Sequence, residues 1–154
     1  MLPVRVPSRD LHASRREKQA AADTRFLIVD EDRQVGRNLS FMLEARGYSE
    51  VRSVRSAARA EAIFGVFQPG IVFMELDLPD NANLQLATQL RVTARLRKFR
   101  LIALTSDMEH PAREAARAAG FERYLVKPVA QDELDKILCI PSAMSRQAQA
   151  PGGG

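Results

Sequence analysis

The stretch Gly70-Ile71-Val72-Phe73-Met74-Glu75-Leu76-Asp77-Leu78-Pro79-Asp80 sets the architecture. Four apolar residues end in an acid, and Pro79 closes the turn beyond it. A short apolar run bounded by turn residues predicts a strand buried on both faces, as in the middle of a parallel sheet. In an open α/β sheet, ligands bind beyond the carboxyl ends of the strands. Glu75 therefore stands at the end of a central strand where chemistry is done.

Outward from this strand, apolar runs alternate with helical patterns. Arg25 to Val29 reads as a buried strand, followed by Asp30, Glu31 and Asp32. Arg33 to Arg46 reads as a helix with Val35, Leu39, Met42 and Leu43 on one face, capped by Asp32 and ended by Gly47. Val51 to Val54 is a short strand and Ser56 to Phe67 a helix, broken by Pro69-Gly70. After the central strand, Leu84 to Arg95 is a helix with Leu84, Ala87 and Leu90 inward. Leu101 to Leu104 is a strand ending at Thr105. Pro111 sits in the first turn of an Ala-rich helix that stops at Gly120. Arg123 to Val126 is a strand ending at Lys127-Pro128, and Gln131 to Leu138 is the last helix. Cys139 reads as a small packing residue near its end.

Five strands alternating with five helices predict an α/β fold: a flavodoxin-like (βα)5 doubly wound parallel sheet, strand order 2-1-3-4-5. The domain is expected over residues 25–140. Residues 1–24 read as an N-terminal extension, mobile or partly helical over Ser8 to Ala22, and 141–154 as a disordered tail. At 154 residues, 45% hydrophobic and 27% charged, the chain can bury a core. No apolar run reaches the ~20 residues of a membrane span, and no secretory h-region is present. The lone Cys139 allows no intrachain disulfide, which suits a cytoplasmic location. The net charge of +4 permits acidic partners without requiring one.

The residues past four strands are polar: Asp30 and Glu31, Glu75, Thr105, and Lys127. In the expected order the first and third strands are neighbours about 4.8 Å apart. Three carboxylates then crowd one end of the sheet and call for a cation, either Lys127 or a divalent metal such as Mg²⁺. Singly, each acid reads as a helix cap and Lys-Pro as a turn. Together they read as a site.

Val29-Asp30-Glu31-Asp32, Leu76-Asp77-Leu78-Pro79-Asp80, Ala103-Leu104-Thr105-Ser106 and Tyr124-Leu125-Val126-Lys127-Pro128 resemble the motifs of CheY-like receiver domains of two-component response regulators. The resemblance spans about Arg25 to Leu138. It implies an Mg²⁺ site at Asp30, Glu31 and the backbone carbonyl of Asp77. It implies that Thr105 and Lys127 contact a phosphoryl group, and that Tyr124 switches position on activation. Two positions depart from the pattern. Glu75 stands where the family has its phosphoacceptor aspartate, and Asn83 where it commonly has glycine, a change expected to be mild because Asn tolerates positive φ. Glutamate reaches about 1.3 Å further than aspartate, and a misplacement of ~1 Å can cost ~100-fold in rate.

The expectation is a single-domain, atypical receiver, not an enzyme, in which Glu75 pairs with Lys127 and holds the site without ordinary phosphorylation. Mg²⁺ binding is expected to be weak. An active-like resting state is expected, with Tyr124 inward. Partners are a histidine kinase or another signalling protein, and no output domain is expected after the last helix. A homodimer through the fourth helix, fifth strand and fifth helix is expected, since Arg113, Arg117, Arg123, Asp132, Glu133 and Asp135 place both signs of charge there. One alternative is Mg²⁺-dependent phosphorylation at Glu75 or Asp77. Another is binding of a phosphate-rich ligand or nucleic acid by Arg91, Arg95, Arg97, Lys98 and Arg100, a run with no acid in it. A solvated helix face is the plainer account of that run. Nucleic acid is disfavoured there, because Phe99 alone offers a ring for base stacking. His12 and His110 are too far apart in sequence to read as a metal site.

Overall fold

The computed structural model describes residues 23–139; the expected N-terminal extension, with its possible helix, and the C-terminal tail lie outside them. Five strands, β1 (Arg25–Val29), β2 (Glu50–Val54), β3 (Ile71–Glu75), β4 (Arg100–Thr105) and β5 (Phe121–Val126), form one parallel sheet in the order 2-1-3-4-5. The helices are α1 (Arg33–Glu44), α2 (Ala57–Phe67), α3 (Ala82–Ala94), α4 (Arg113–Ala118) and α5 (Gln131–Cys139).

The period of two along each strand divides the core between the sheet's faces. Leu27, Val29, Val72, Met74, Leu101 and Ala103 pack with Phe64 of α2 and Leu86 and Leu90 of α3. Phe26, Ile28, Phe73, Ile102 and Leu104 pack on the other side with Leu39 and Leu43 of α1 and Leu134 and Ile137 of α5. Phe26 and Phe73 are fully buried, with ring centroids 6.1 Å apart. Burial of each contributes roughly 1.5–3 kcal/mol. All of β3 is buried, as its continuous apolar run requires.

Helix ends follow local chemistry. The Asp32 carboxylate accepts the Gln34 N–H and the Ser56 hydroxyl accepts the Arg59 N–H, so both act as N-caps. α1 ends at Glu44, two residues before Arg46, and Gly47 reverses the chain at φ +92°. A Cβ at Gly47 would meet nothing within 4 Å, so the conformation alone demands glycine there. Gly47→Ala should therefore cost about 1 kcal/mol. Urea unfolding checks this, with the midpoint falling and the slope unchanged.

Several boundaries differ from expectation. α3 starts at Ala82, behind a 3₁₀ turn at Pro79–Asn81, and its inward set is Asn83, Leu86, Ala87 and Leu90, with Leu84 only partly buried. The positive φ of the turn falls on Asn81 (+53°), not on Asn83. Asn83 is helical and buried, and its amide nitrogen has no hydrogen-bond partner among the described residues. β5 starts at Phe121, which Gly120 at φ +105° delivers to the core. α4 is only six residues long, because Pro111 stays in the preceding turn and Ala112 is non-helical at φ −81°, ψ 3°. The packing expected of Cys139 concerns a side chain outside those described.

Candidate functional site

The register brings the polar residues together. Val29 pairs with Met74, so Asp30 and Glu75 stand next to one another across the β1–β3 edge. Thr105 pairs with Val126, and the Lys127 N–H donates to the Thr105 carbonyl at 2.8 Å, which fixes where the lysine leaves β5. Its side chain crosses the sheet end. Lys127 Nζ lies 3.0 Å from Asp30 Oδ2 and 3.0 Å from Glu75 Oε1.

Glu75 is held on both carboxylate oxygens. Oε1 accepts from Lys127, and Oε2 accepts the Glu31 N–H at 3.2 Å. Asp30 is likewise held on both, with Oδ1 accepting the Asp32 N–H at 2.9 Å. The expected Glu75–Lys127 pair is thus present, and Asp30 shares the same ammonium. Two buried carboxylates face one cation. Burial pushes the Asp30 carboxyl above its ordinary range, against the opposing pull of the Asp32 N–H and Lys127. Burial draws the Lys127 ammonium down, but its bonds to Asp30 and Glu75 outweigh that and hold it above its usual value.

The other expected residues sit less centrally. Glu31 is exposed, and its carbonyl accepts from Arg55 Nε at 3.2 Å. Thr105 is buried, but its hydroxyl turns into the loop after β4, donating to the Asp107 carbonyl at 2.8 Å and accepting the Asp107 N–H at 3.1 Å. The Tyr124 hydroxyl donates to the Arg113 carbonyl at 2.8 Å, with the Arg113 guanidinium 5.0 Å from the ring centre. Tyr124 is therefore tethered to the start of α4. Among the described residues, no group of three acid, histidine or cysteine side chains converges as metal ligands.

One contact escaped sequence reasoning. His110 Nε2 bonds the Asp77 carboxylate, joining the loops after β3 and β4. Its Nδ1 accepts the Ala112 N–H at 3.0 Å, so Nε2 carries the proton given to Asp77. Thirty-three residues separate the pair; only the adjacency of β3 and β4 in the strand order hints at it.

The basic run lies at the opposite end of the sheet, ahead of β4. Three of its members have structural work. Arg91 donates to the carbonyls of Phe99 and Gly120, Arg97 to that of Pro69, and Arg100 to Glu122 and the Ile137 carbonyl. Arg95 and Lys98 are exposed. On the expected dimer face, Asp135 instead bonds Arg46 just past α1 at 2.7 Å, and Glu133 pairs with Lys136 on its own helix.

The chain is 33% identical over 110 residues to the alginate biosynthesis transcriptional regulatory protein AlgB of Pseudomonas aeruginosa, covering 71% of this chain and 24% of that protein. The chain thus spans about a quarter of the length of that relative. It is 28% identical over 107 residues to the polar-differentiation response regulator DivK of Brucella ovis, covering 69% of this chain and 86% of that protein. Among solved structures, a CheY-like response regulator receiver domain from Methylobacillus flagellatus superposes with a TM-score of 0.66 at 27% identity, over 75% of this chain and 95% of that one. The family described as the response regulator receiver domain matches residues 26–139, and to that family this chain belongs.

Proposed function

We propose that this receiver transmits its signal through protein–protein contacts largely without aspartyl phosphorylation. The carrying observation is the Lys127 ammonium placed 3.0 Å from both Asp30 and Glu75, with the second Glu75 oxygen on the Glu31 N–H. In a receiver, the carboxylate at the end of β3 must attack a phosphodonor in line, so its position supplies most of the rate. Glu75 is one methylene too long for that place, and both its oxygens are engaged. The glutamate closes the strand end that a phosphoryl group would fill. Asp77 is a poor substitute nucleophile, because it lies on the turn past β3 with its carboxylate bound to His110.

A weak Mg²⁺ site fits the same residues. Two buried carboxylates exceed one ammonium in charge, and Asp30 is held above its ordinary range by burial, so the site favours a further cation. Asp30, Glu31 and the Asp77 carbonyl would hold the ion, and retained waters would complete its shell. The ion would neutralise charge and orient a phosphoryl oxygen. Lys127 already occupies Asp30 Oδ2 and competes with it.

The partner class is a histidine kinase or another signalling protein, met in the cytoplasm. Self-association through α4, β5 and α5 remains part of the proposal, on a face narrowed by the loss of Asp135 to Arg46. The test uses Mg²⁺ and beryllium fluoride, a phosphoryl mimic that seats on a receptive carboxylate. On adding beryllium fluoride to the Mg²⁺-saturated parent chain, the amide resonances of Thr105, Tyr124 and Lys127 should stay in place. Their movement to a new, saturating position would show a receptive acceptor and overturn the proposal.

A further inference from the structure

We propose that the pocket between the end of α3 and the starts of β3, β4 and β5 binds a compact phosphate-rich anion of the pyrophosphate type. It lies at the opposite end of the sheet from Glu75, and its function does not depend on the role given to that residue. The cavity has a volume of about 570 Å³, within the ~300–1,000 Å³ of small-molecule sites. Arg91, Arg95, Arg97, Lys98 and Arg100 line it, and Glu122 is the one carboxylate among the lining residues.

Glu122 is spent on Arg100, 2.7 Å away. The other four cations have no carboxylate bonded to them among the described residues. Arg91 and Arg97 are instead held by neutral groups. Their guanidiniums bond backbone carbonyls and lie over aromatic rings, Arg91 4.3 Å from the centre of Phe99 and Arg97 5.1 Å from that of Phe64. These contacts fix the planes without cancelling the charge. Burial draws both arginines below their ordinary values, Arg91 against the pull of Glu122. An oriented, partly desolvated guanidinium with no carboxylate bonded to it is what a phosphate oxygen pairs with strongly.

Arg95 adds a second kind of observation. Its backbone sits at φ +55°, ψ −115°, a conformation at which glycine is at ease and arginine is strained. The side chain is nonetheless a long cation at the pocket rim. The ligand is a phosphate group rather than a base, because Phe99 is buried beneath Arg91 and offers no free face for stacking.

The test is titration of inorganic pyrophosphate into the isotope-labelled full chain at low salt. The amides of residues 95–100 and of Glu122 should move. The double variant Arg95→Glu, Lys98→Glu should bind at least about tenfold more weakly, as expected when two charge-assisted contacts are reversed. Neither side chain supports the core, so the variant should fold. Arg37→Glu with Arg59→Glu, the same charge change at exposed positions on α1 and α2, should weaken binding less than about threefold. Arg95→Gly should raise the melting temperature by a few degrees while lowering affinity. A nucleoside diphosphate should bind no more tightly than pyrophosphate; one binding far more tightly would overturn the assignment of a bare phosphate group. The proposal is overturned if no resonance moves, if the moving amides are those of Thr105 and Lys127, or if both double variants weaken binding equally.

Discussion

Glu75→Asp should accept a phosphoryl group from acetyl phosphate in the presence of Mg²⁺ about 100-fold faster than the parent. The substitution removes one methylene and draws the carboxylate back by about 1.3 Å. Its oxygens then leave the Glu31 N–H and loosen from Lys127, which both now engage Glu75. A freed carboxylate oxygen can attack phosphorus in line as the bond to the acetate oxygen breaks, and acetate departs with the electron pair. The remaining parts are in place. Asp30 and Glu31 stand beside the strand end, and Lys127 stays anchored by Asp30 to meet the charge on the incoming phosphoryl group. Thr105 must first exchange its bonds to Asp107 for the phosphoryl oxygen, a local turn of one buried hydroxyl. Intact-mass spectrometry reads the outcome as a gain of one phosphoryl group. Lys127→Ala in the same background should slow or abolish it. Equal phosphorylation of parent and variant would show that Glu75 is itself a competent acceptor. If neither reacts, the site has departed from a phosphoacceptor by more than this methylene, and the domain is a receiver-shaped binding scaffold.

What the sequence disclosed and what it hid have physical causes. β3 announced itself because a strand covered on both faces has to be apolar throughout, and Ile71 to Met74 leave no other assignment. The meeting of Asp30, Glu75 and Lys127 followed from strand order, since all three extend strands whose ends coincide. The direction of a short side chain did not follow. Thr105 occupies its expected place, yet its hydroxyl serves the Asp107 backbone, a local bond open to any threonine ahead of a turn. Periodicity placed α3 on the sheet with Leu84, Ala87 and Leu90 against the core, but missed Asn83 and Leu86, which are buried more deeply than Leu84. The positive φ expected at Asn83 belongs to Asn81, since the 3₁₀ turn at Pro79 tightens the entry and finishes the reversal before α3 starts. The basic run read as a solvated face, whereas Arg91 lies over Phe99, and Arg97 lies over Phe64 and donates to the Pro69 carbonyl, two groups from distant sequence. Long side chains reach too far for local pattern to reveal what they touch.

Lys127→Met should destabilise the chain by about 3–5 kcal/mol at neutral pH, because it strands two buried carboxylates without their cation. Asp30 is 1% exposed and Glu75 6%, so water cannot replace the ammonium's two bonds. Methionine fills a similar volume, which makes the loss electrostatic rather than a cavity effect. The pH dependence separates these causes. In the parent, the raised Lys127 contributes stability that is complete below its unfolded value of 10.5 and is lost as pH climbs through the folded value. The variant lacks that alkaline loss. Asp30 has the opposite consequence at the acid end. Burial holds it above its ordinary 3.8, so the folded state takes its proton first, and stability from this group grows as pH falls through the raised value. Without Lys127 that growth should be larger, so the deficit of the variant should shrink between neutral and mildly acid pH. A packing defect would leave the deficit constant. Mg²⁺ offers a second discriminator: an ion bound by Asp30 and Glu31 would replace part of the missing charge, so Mg²⁺ should raise the melting temperature of Lys127→Met more than that of the parent. Thermal melts across pH, with and without the ion, measure both effects. A deficit unmoved by either acid or Mg²⁺ would mean that it arises from packing, and that the charge of the ammonium on Asp30 and Glu75 contributes little to stability.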